Sequence, residues 1–195
     1  MLYSELQCSD AIHKAVERMG FAEMTEIQEK TIPVMLAGHD VIAKAPTGTG
    51  KTCAFGIPVA EHIDPEKKYP QAVIMAPTRE LAQQIAQELE ELTYFMPEVQ
   101  VACVYGGANM EKQAKRLAEG CQIVVATPGR LMDHYKHHNI DLSHVTQIVL
   151  DEADEMLNMG FYKDVRHIIE MMKARKSLSM FSATISREVM DIGWL

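Results

Sequence analysis

The sequence predicts an α/β fold in which helices cover both faces of a doubly wound parallel sheet. Short, continuous apolar runs rich in β-branched residues suit strands that are buried on both sides. These runs alternate with longer segments of helical periodicity, an order typical of doubly wound sheets. The predicted strands are residues 40–45, 72–76, 99–104, 123–126, 147–150 and 179–181.

Two of the intervening segments carry clear helix signals. The first has apolar residues at helical spacing from Ile12 to Met19, and Gly20 suits its C-terminal end. The second has an apolar stripe over residues 81–92, and Thr78 precedes it as a predicted N-cap.

Composition places the chain among single-domain globular proteins. Its 195 residues are 47% apolar and 24% charged, and no apolar run reaches the roughly 18 residues that span a membrane. The first residues lack the basic stretch and apolar core of a secretory signal. The four cysteines are widely spaced, as expected for reduced thiols of an intracellular protein, and we expect a cytoplasmic location.

The net charge of −8 argues against a broad, nonspecific nucleic-acid surface. It does not exclude a local phosphate-binding surface, because contact depends on which groups face the backbone.

Distinctive polar motifs follow five of the predicted strands. They comprise residues 45–52, 77–80, 127–130, 151–154 and 182–184. Ligands of such folds bind beyond the carboxyl ends of the strands. The sequence therefore predicts one composite site at that edge of the sheet.

The motif after the first strand predicts a site for a nucleoside triphosphate, which we expect to be ATP. Gly48 and Gly50 permit a backbone that turns its N–H groups toward phosphates. Lys51 can reach the β- and γ-phosphates, and the Thr52 hydroxyl can ligate Mg²⁺. The alternative is an ordinary glycine-rich turn, and Ala45 stands where the generic pattern has Gly. The predicted contacts are Ala45, Pro46, Thr47, Gly48, Thr49, Gly50, Lys51 and Thr52.

Two acidic residues complete the predicted catalytic set with Lys51. Asp151 ends an apolar strand, where a second Mg²⁺-holding carboxylate belongs in P-loop enzymes. Glu152 can orient or deprotonate the attacking water. The alternative is an acidic helix start favoured by the helix dipole.

This ordered set of motifs, including Asp-Glu-Ala-Asp at 151–154, resembles the first RecA-like domain of DEAD-box ATP-dependent RNA helicases. The resemblance runs from about Tyr3 to the C-terminus. It implies a RecA-like P-loop NTPase domain that uses ATP and Mg²⁺. It also implies that ATP binding and hydrolysis are coupled to RNA binding and local duplex separation.

The segment 20–28 resembles the adenine-recognising Q motif of that family. The resemblance implies that Gln28 reads the adenine edge, that Phe21 packs against the base, and that Tyr3 is the upstream aromatic residue. Met24 replaces the usual Pro, which we expect to affect loop rigidity more than base choice. Thr25 and Gln28 also match a capping box, so Gln28 could cap a helix, read adenine, or do both.

The family resemblance also implies a surface that binds one RNA strand. Thr78 and Thr127 resemble N-caps, whose helix N-termini bind phosphates. Alternatively, Arg79 and Arg130 could pair only with local acids such as Glu80 and Asp133. By resemblance the backbone contacts are Arg79, Gly107, Thr127, Gly129 and Arg130, with Gln113 as a further position.

The last motif contains Ser182 and Thr184. The resemblance implies that their hydroxyls bond to the 151–154 loop, including Asp154, and couple nucleotide state to strand separation. The alternative is an ordinary cap of the final helix.

The histidines His134, His137 and His138 cluster near a predicted helix end. Metal-ligand spacing and further ligands are lacking, so we interpret the cluster as a solvated helix end.

The resemblance also implies a second RecA-like domain, carrying an arginine finger, that lies outside these 195 residues. We therefore expect this chain, as a single domain, to bind nucleotide but hydrolyse it weakly. The implied partners are RNA, through backbone contacts of little sequence specificity, and that second domain; no membrane is implied. Two alternatives remain, a DNA helicase or translocase of the same superfamily and a nonenzymatic nucleotide-dependent RNA clamp.

Overall fold

A computed structural model describes residues 1–45 and 50–195. Within this part the strands form one six-stranded sheet in the order β1-β6-β5-β2-β4-β3, and every neighbouring pair is parallel. The strands are β1 (Ile42–Lys44), β2 (Ala72–Met75), β3 (Val101–Val104), β4 (Ile123–Ala126), β5 (Gln147–Asp151) and β6 (Ser177–Ser182).

Two of the described α-helices precede the first strand, and the others follow the strands in sequence. After a 3-10 helix at Tyr3–Glu5 come α1 (Asp10–Arg18), α2 (Glu26–Leu36), α3 (Lys51–Glu61), α4 (Arg79–Leu92), α5 (Met110–Ala118), α6 (Pro128–Lys136), α7 (Ala153–Asn158), α8 (Tyr162–Met171) and α9 (Arg187–Gly193). No helix among the described residues combines the length and apolar character needed to cross a membrane.

Two hydrophobic cores lie on opposite faces of the sheet. In β2, Ile74 belongs to the core shared with α1 to α4. Its neighbours Val73 and Met75 belong to the other core, shared with α5 to α9. Successive side chains of a strand point to opposite faces, so this alternation shows that both faces are covered. The predicted fold class is confirmed.

The six predicted strands are all present in the described chain, and every one except β4 differs from its predicted bounds at one end or both. The third was predicted from residue 99 but begins at Val101, because the Val99 amide donates to the Met96 carbonyl at 3.0 Å in a turn. The sixth is longer than predicted, since Ser177 pairs with Gln147 and Ser182 pairs with Lys44.

The predicted helix signals fall at helix ends. Gly20 follows α1 with a φ of 84°. Thr78 is the N-cap of α4, and its hydroxyl accepts from the Leu81 amide at 3.2 Å. Thr127 is the N-cap of α6 by position but makes no side-chain cap bond, while Pro128 occupies the first turn. Cap position was thus predictable at Thr127, and the bond itself was not.

Candidate nucleotide and nucleic-acid site

The strand order brings the polar motifs together at one edge of the sheet. β6 lies between β1 and β5, so Ser182 is paired with Lys44 while Phe181 is paired with Asp151. The Ala45 amide continues this ladder by donating to the Ser182 carbonyl at 2.8 Å. Motifs that are more than a hundred residues apart in the chain are neighbours for this reason.

A cavity of about 470 Å³ opens at this edge. It joins the residues predicted to bind a base with those predicted to bind phosphates and metal. Its lining includes Tyr3, Phe21, Thr25, Gln28, Gly50, Lys51, Thr52, Glu88, Asp151 and Glu152. Of the predicted nucleotide contacts, Pro46, Thr47, Gly48 and Thr49 lie outside the described residues.

A buried ion pair stands at the phosphate end of this cavity. The Lys51 Nζ lies 3.0 Å from Asp151 Oδ1 and 3.7 Å from Glu152 Oε2. Asp151 is fully buried, and burial raises the pKa of its carboxyl group although Lys51 acts in the opposite direction. Its second oxygen, Oδ2, has no hydrogen-bond partner in the described part of the chain. A buried carboxylate oxygen without a partner calls for a cation or another donor.

The residues around that oxygen fit a magnesium site of the kind predicted. Thr52 lines the same cavity as Asp151, and both are buried. The described residues contain no cluster of three or more His, Cys, Asp or Glu that could hold a metal without help. Mg²⁺ suits such a place, because it is commonly held by one or two carboxylates together with waters and substrate phosphates.

Glu152 occupies an uncommon backbone conformation. Its φ of 50° and ψ of 53° are left-handed, and it is the N-cap of the short helix α7. Its amide donates to Asp151 Oδ1 at 2.9 Å, and its side chain lines the cavity. A left-handed residue with a side chain costs about 1–2 kcal/mol. Such residues concentrate at functional sites, where the surrounding structure enforces them.

The Gln28 side chain is at the centre of a hydrogen-bond network. Its Oε1 accepts from the Thr25 amide at 3.0 Å and from the Tyr3 hydroxyl, and its Nε2 donates to the Gly50 carbonyl at 2.8 Å. The Thr25 hydroxyl accepts from the Gln28 amide, which completes a capping box. A glutamine amide has four hydrogen-bonding positions. Three are filled by these contacts, which leaves one N–H that they do not use.

Two aromatic rings border this end of the cavity. Tyr3 and Phe21 stack with centroids 6.2 Å apart at an angle of 25°. Phe21 is 44% exposed, so its ring surface is open to a flat ligand. Burial raises the pKa of Tyr3, so its hydroxyl keeps its proton and donates to Gln28. Met24, which stands where the family usually has Pro, is buried in the core beside α1 to α4.

The predicted RNA-facing residues gather on a second part of the same edge. The exposed Arg79 guanidinium lies 4.9 Å from the centre of the Tyr105 ring. Gly107 has a φ of 83°, and a Cβ there would lie 3.7 Å from Arg79 Nη1. Arg130 Nη1 donates to the Ala108 carbonyl at 3.1 Å. Two arginines from different helices therefore flank one loop.

The two remaining predicted RNA contacts begin helix α6. Thr127 is buried at its cap position, and Gly129 is half-buried near Phe161. The alternative of local ion pairs is not seen in the described chain, where Arg79 makes no ion pair with Glu80 and Arg130 makes none with Asp133.

The last motif bonds to the acidic loop as the sequence suggested. The Thr184 hydroxyl and amide both donate to Asp154 Oδ2, at 2.9 and 3.1 Å. The Ser182 hydroxyl accepts from the Asp154 amide at 3.1 Å. Partial burial acts to raise the pKa of Asp154, but the hydrogen bonds that its carboxylate accepts hold the pKa below its usual value. β6 and α7 are thus connected by side chains, while a coupling role stays a prediction.

The interpretation of the histidine cluster is wrong for one member. His134 is fully buried and hydrogen-bonded, whereas His137 and His138 are exposed. The signal was its spacing, since His134 follows the buried Leu131 by three residues and so shares its helix face.

Several residues that line the cavity were not predicted as contacts, and Glu88 is the acidic one nearest the phosphate end. Glu88 lines the nucleotide cavity beside Thr52, and burial raises the pKa of its carboxyl group. It follows Leu81 by seven residues, a spacing that puts both on one face of α4. That spacing predicts a shared helix face, but it does not predict that this face lines the cavity.

The fold and the site together define a class, that of nucleotide-binding domains with a parallel sheet and a Gly-Lys-Thr sequence at the start of the helix that follows its first strand. Residues 25–192 match the DEAD/DEAH box helicase family, and the chain belongs to this family.

Relatives and solved structures agree with this assignment. The chain is 50% identical over 193 residues to the ATP-dependent RNA helicase CshA of Limosilactobacillus reuteri, covering 99% of this chain and 39% of that protein. It is 42% identical over 190 residues to the ATP-dependent RNA helicase DeaD of Escherichia coli, covering 97% of this chain and 30% of that protein. The chain thus spans well under half the length of these relatives.

The fold is shared with two crystal structures. A DEAD box protein from Methanococcus jannaschii is 40% identical with a TM-score of 0.90, covering 100% of this chain and 53% of that one. A hypothetical ATP-dependent RNA helicase from Sulfolobus tokodaii is 40% identical with a TM-score of 0.85, covering 94% of this chain and 53% of that one.

Proposed function

We propose that this chain is the ATP-binding domain of an RNA helicase, which couples ATP binding and hydrolysis to RNA binding and local duplex separation. The observation that carries the proposal is the arrangement at the phosphate end of the cavity. There Lys51 contacts Asp151 and Glu152 at 3.0 and 3.7 Å, and Asp151 Oδ2 lacks a partner in the described chain. This is a set of groups for holding phosphates, a divalent cation and a water.

Each part of ATP has a matching part of the cavity. Phe21 offers an exposed ring to the base, and Gln28 retains one N–H for an acceptor on its edge. Residues 45–52 bind the phosphates in this proposal, with Lys51 as their cationic side chain. Asp151 and Thr52 would hold Mg²⁺, which when bound neutralises charge that develops on the phosphates.

Glu152 acts on the attacking water. Its carboxylate lines the cavity and is only partly buried, so it can accept a hydrogen bond or a proton from water there. The left-handed backbone conformation of Glu152 sets the direction of its Cα–Cβ bond. Because Asp151 is fully buried and its Oδ1 is paired with Lys51, its Oδ2 is better placed to hold a cation than to exchange protons with solvent.

RNA binds to the surface around the 105–108 loop. Arg79 and Arg130 supply charge beside the N-termini of α4 and α6, where backbone N–H groups favour phosphates. At Gly107, Thr127 and Gly129 the protein backbone comes close to the sugar-phosphate chain of the RNA. Such contacts follow the sugar-phosphate chain and carry little sequence information. RNA is favoured over DNA because the relatives are named RNA helicases.

Full activity requires a second domain, since the chain spans only 39% and 30% of the two relatives. That domain would close over ATP and supply a transition-state cation, a contribution that reaches about 10³–10⁵ in related phosphoryl transfers. The 195-residue chain alone should therefore bind ATP and hydrolyse it slowly. Robust RNA-stimulated hydrolysis by these residues alone would contradict this part.

The deciding experiment compares Glu152→Gln with Glu155→Gln, a matched change at an exposed acid on the same helix. Both variants should bind a fluorescent ATP analogue like the parent chain. In a protein that includes the second domain, only Glu152→Gln should abolish RNA-stimulated hydrolysis. Equal hydrolysis by both variants would remove Glu152 from its role, whereas the absence of hydrolysis in the parent protein would favour a nonenzymatic clamp. Competition by RNA and by DNA of the same sequence separates an RNA helicase from a DNA translocase.

A further inference from the structure

A buried polar network lies behind the RNA-facing loop. His134 is fully buried in α6, one turn after Arg130. Both residues contact the same atom of α5, namely Gln113 Oε1, at 2.9 Å from His134 Nε2 and 3.1 Å from Arg130 Nη1. Gln113 is itself buried, with 8% of its surface exposed. Two helices are therefore joined at one amide oxygen.

The chemistry of the partners fixes the role of every atom. Arginine only donates hydrogen bonds, so the Gln113 atom facing it must be the carbonyl oxygen. This assignment agrees with Gln113 Nε2, which donates to the Tyr105 carbonyl at 3.0 Å. The oxygen can only accept, and therefore His134 Nε2 carries the proton and donates.

The far side of the imidazole completes the network. With the proton on Nε2, the neutral ring leaves Nδ1 as an acceptor. Asn139 Nδ2 lies 3.1 Å from Nδ1 and donates to it. A directed chain of donors thus runs from Asn139 through His134 to Gln113.

The network ends on the predicted RNA surface. Arg130 Nη1 uses one N–H for Gln113 and the other for the Ala108 carbonyl, each at 3.1 Å. Ala108 directly follows Gly107, whose left-handed backbone approaches Arg79. A guanidinium has five N–H donors, so three remain beyond these two contacts for a phosphate. The orientation of those three depends on where Nη1 is held.

We propose that His134 and Gln113 are positioning residues for RNA binding, which hold the Arg130 guanidinium and the Gly107–Ala108 backbone in the arrangement that meets one RNA strand. The proposal rests on the RNA-binding function proposed above. A buried histidine that served only packing would need hydrogen-bond partners, but it would not need to share its acceptor with Arg130.

The test compares His134→Leu with His134→Gln. Leucine fills the space without a donor, whereas the glutamine amide can return an N–H to the position of Nε2. His137→Leu, an exposed position on the same helix end, is the control. Binding of a fluorescent single-stranded oligouridylate to the chain is measured by anisotropy at several salt concentrations.

We expect His134→Leu to weaken RNA binding about three- to tenfold, as for the loss of one ordinary hydrogen bond. Its salt slope should fall by about 0.7, the value for one single-strand phosphate contact. His134→Gln and His137→Leu should stay within about twofold of the parent. Affinity for a fluorescent ATP analogue should not change in any of them.

Arg130→Ala provides a double-mutant cycle. If His134 acts through Arg130, adding His134→Leu to Arg130→Ala has no further effect on RNA affinity, since coupled residues are non-additive. Additive losses, equal losses in the leucine and glutamine variants, or a parallel loss of nucleotide affinity would overturn the proposal.

A second readout does not depend on RNA. In ¹⁵N NMR spectra His134 should show the neutral Nε2–H tautomer, and His134→Leu should shift the Arg130 side-chain signals. Gln113→Met tests the same link from α5 should the leucine variant fail to fold. An unshifted Arg130 signal would refute positioning, whereas Arg130→Ala without effect on RNA binding would refute the proposed RNA contact instead.

Discussion

The side-chain amide of Gln28 donates to the backbone carbonyl of Gly50, with 2.8 Å between nitrogen and oxygen. Gln28 belongs to α2 at the base end of the cavity, and Gly50 is the N-cap of α3 at its phosphate end. The two ends of the predicted ATP site are therefore connected within the protein. A substitution at either residue should therefore alter the structure of both the base end and the phosphate end of the site.

Gly50→Ala should damage both folding and nucleotide binding. An added Cβ would lie 2.8 Å from Gln28 Nε2 and 3.0 Å from Thr25 Cγ2, at a φ of 87°. The matched control is Gly38→Ala, where φ is 88° and nothing lies within 4 Å of the Cβ. Both variants should lose about 1 kcal/mol to the left-handed conformation. Only Gly50→Ala should lose a further 1–3 kcal/mol or so, for the displaced amide.

Urea unfolding and titration with a fluorescent ATP analogue measure these effects. Gly38→Ala should keep the parent's nucleotide affinity. Equal stability losses in the two variants would show that the Gln28 contact with Gly50 contributes nothing.

Gln28→Met should reduce both nucleotide affinity and the preference for adenine. Methionine has a similar length but cannot replace the three hydrogen bonds to Tyr3, Thr25 and Gly50. An unpaired buried group costs about 1–3 kcal/mol, so a lower free energy of unfolding is also expected. The measurement is competition of ATP and GTP for the bound analogue. An unchanged ratio of the two affinities would mean that Gln28 acts only as a helix cap.

His134 should make folding stability sensitive to mildly acid pH. Burial lowers the pKa of His134 below its usual 6.5, and the nearby Arg130 acts in the same direction, as does His137, while Asp133 opposes them. Below pH 6.5 the unfolded chain therefore binds a proton that the folded chain resists. The free energy of unfolding should fall as pH drops through this range, by at most about 1.4 kcal/mol per pH unit.

His134→Gln removes this titration, so its stability relative to the parent should improve from pH 7 to pH 5. Urea unfolding at several pH values measures the trend. His137→Gln, at an exposed position, should follow the parent. Parallel curves for the parent and His134→Gln would contradict the prediction.

Asp154→Asn should destabilise the chain at neutral pH but not in acid. Hydrogen bonds from Thr184 depress the pKa of Asp154 below 3.8 despite partial burial. The carboxylate therefore stabilises the folded chain above that value and loses its effect as pH falls through the folded pKa. Since this group is partly exposed, solvent screening keeps the effect modest.

The difference in unfolding free energy between parent and Asp154→Asn should shrink below about pH 4. Glu155→Gln, next along α7 and exposed, should show no comparable trend. A difference that stays constant down to pH 3 would argue against the proposed contact with Thr184.

Much of the fold followed from the sequence because burial on both faces leaves a strong local signal. All six strands were predicted, and β4 was predicted with its observed bounds. The order of the strands was not, since pairing of β2 between β4 and β5 depends on contacts distant in sequence. The start of β3 was misplaced because an apolar residue, Val99, can equally be buried in a turn.

Site residues were predictable where the chemistry depends on one residue type at one position. They were less predictable where it depends on contacts with side chains from other helices. Lys51 and Asp151 could be named from their positions after strands, and they lie 3.0 Å apart. The spacing from Leu131 indicates that His134 is buried, but the hydrogen-bond partner of His134 could not be predicted, because Gln113 is on another helix. Glu88 was missed for the same reason, as its place in the cavity depends on how α4 packs beside α3.

Because Glu152 has a left-handed backbone, substitutions that increase folding stability at this position are expected to reduce activity. Glycine there would relieve about 1 kcal/mol of conformational cost, and asparagine part of it, but both would remove the carboxylate. Engineering this domain for heat resistance by melting temperature alone would therefore favour replacing its proposed catalytic acid. A thermostable variant selected in that way should be sequenced at this codon before its loss of ATP hydrolysis is attributed to rigidity.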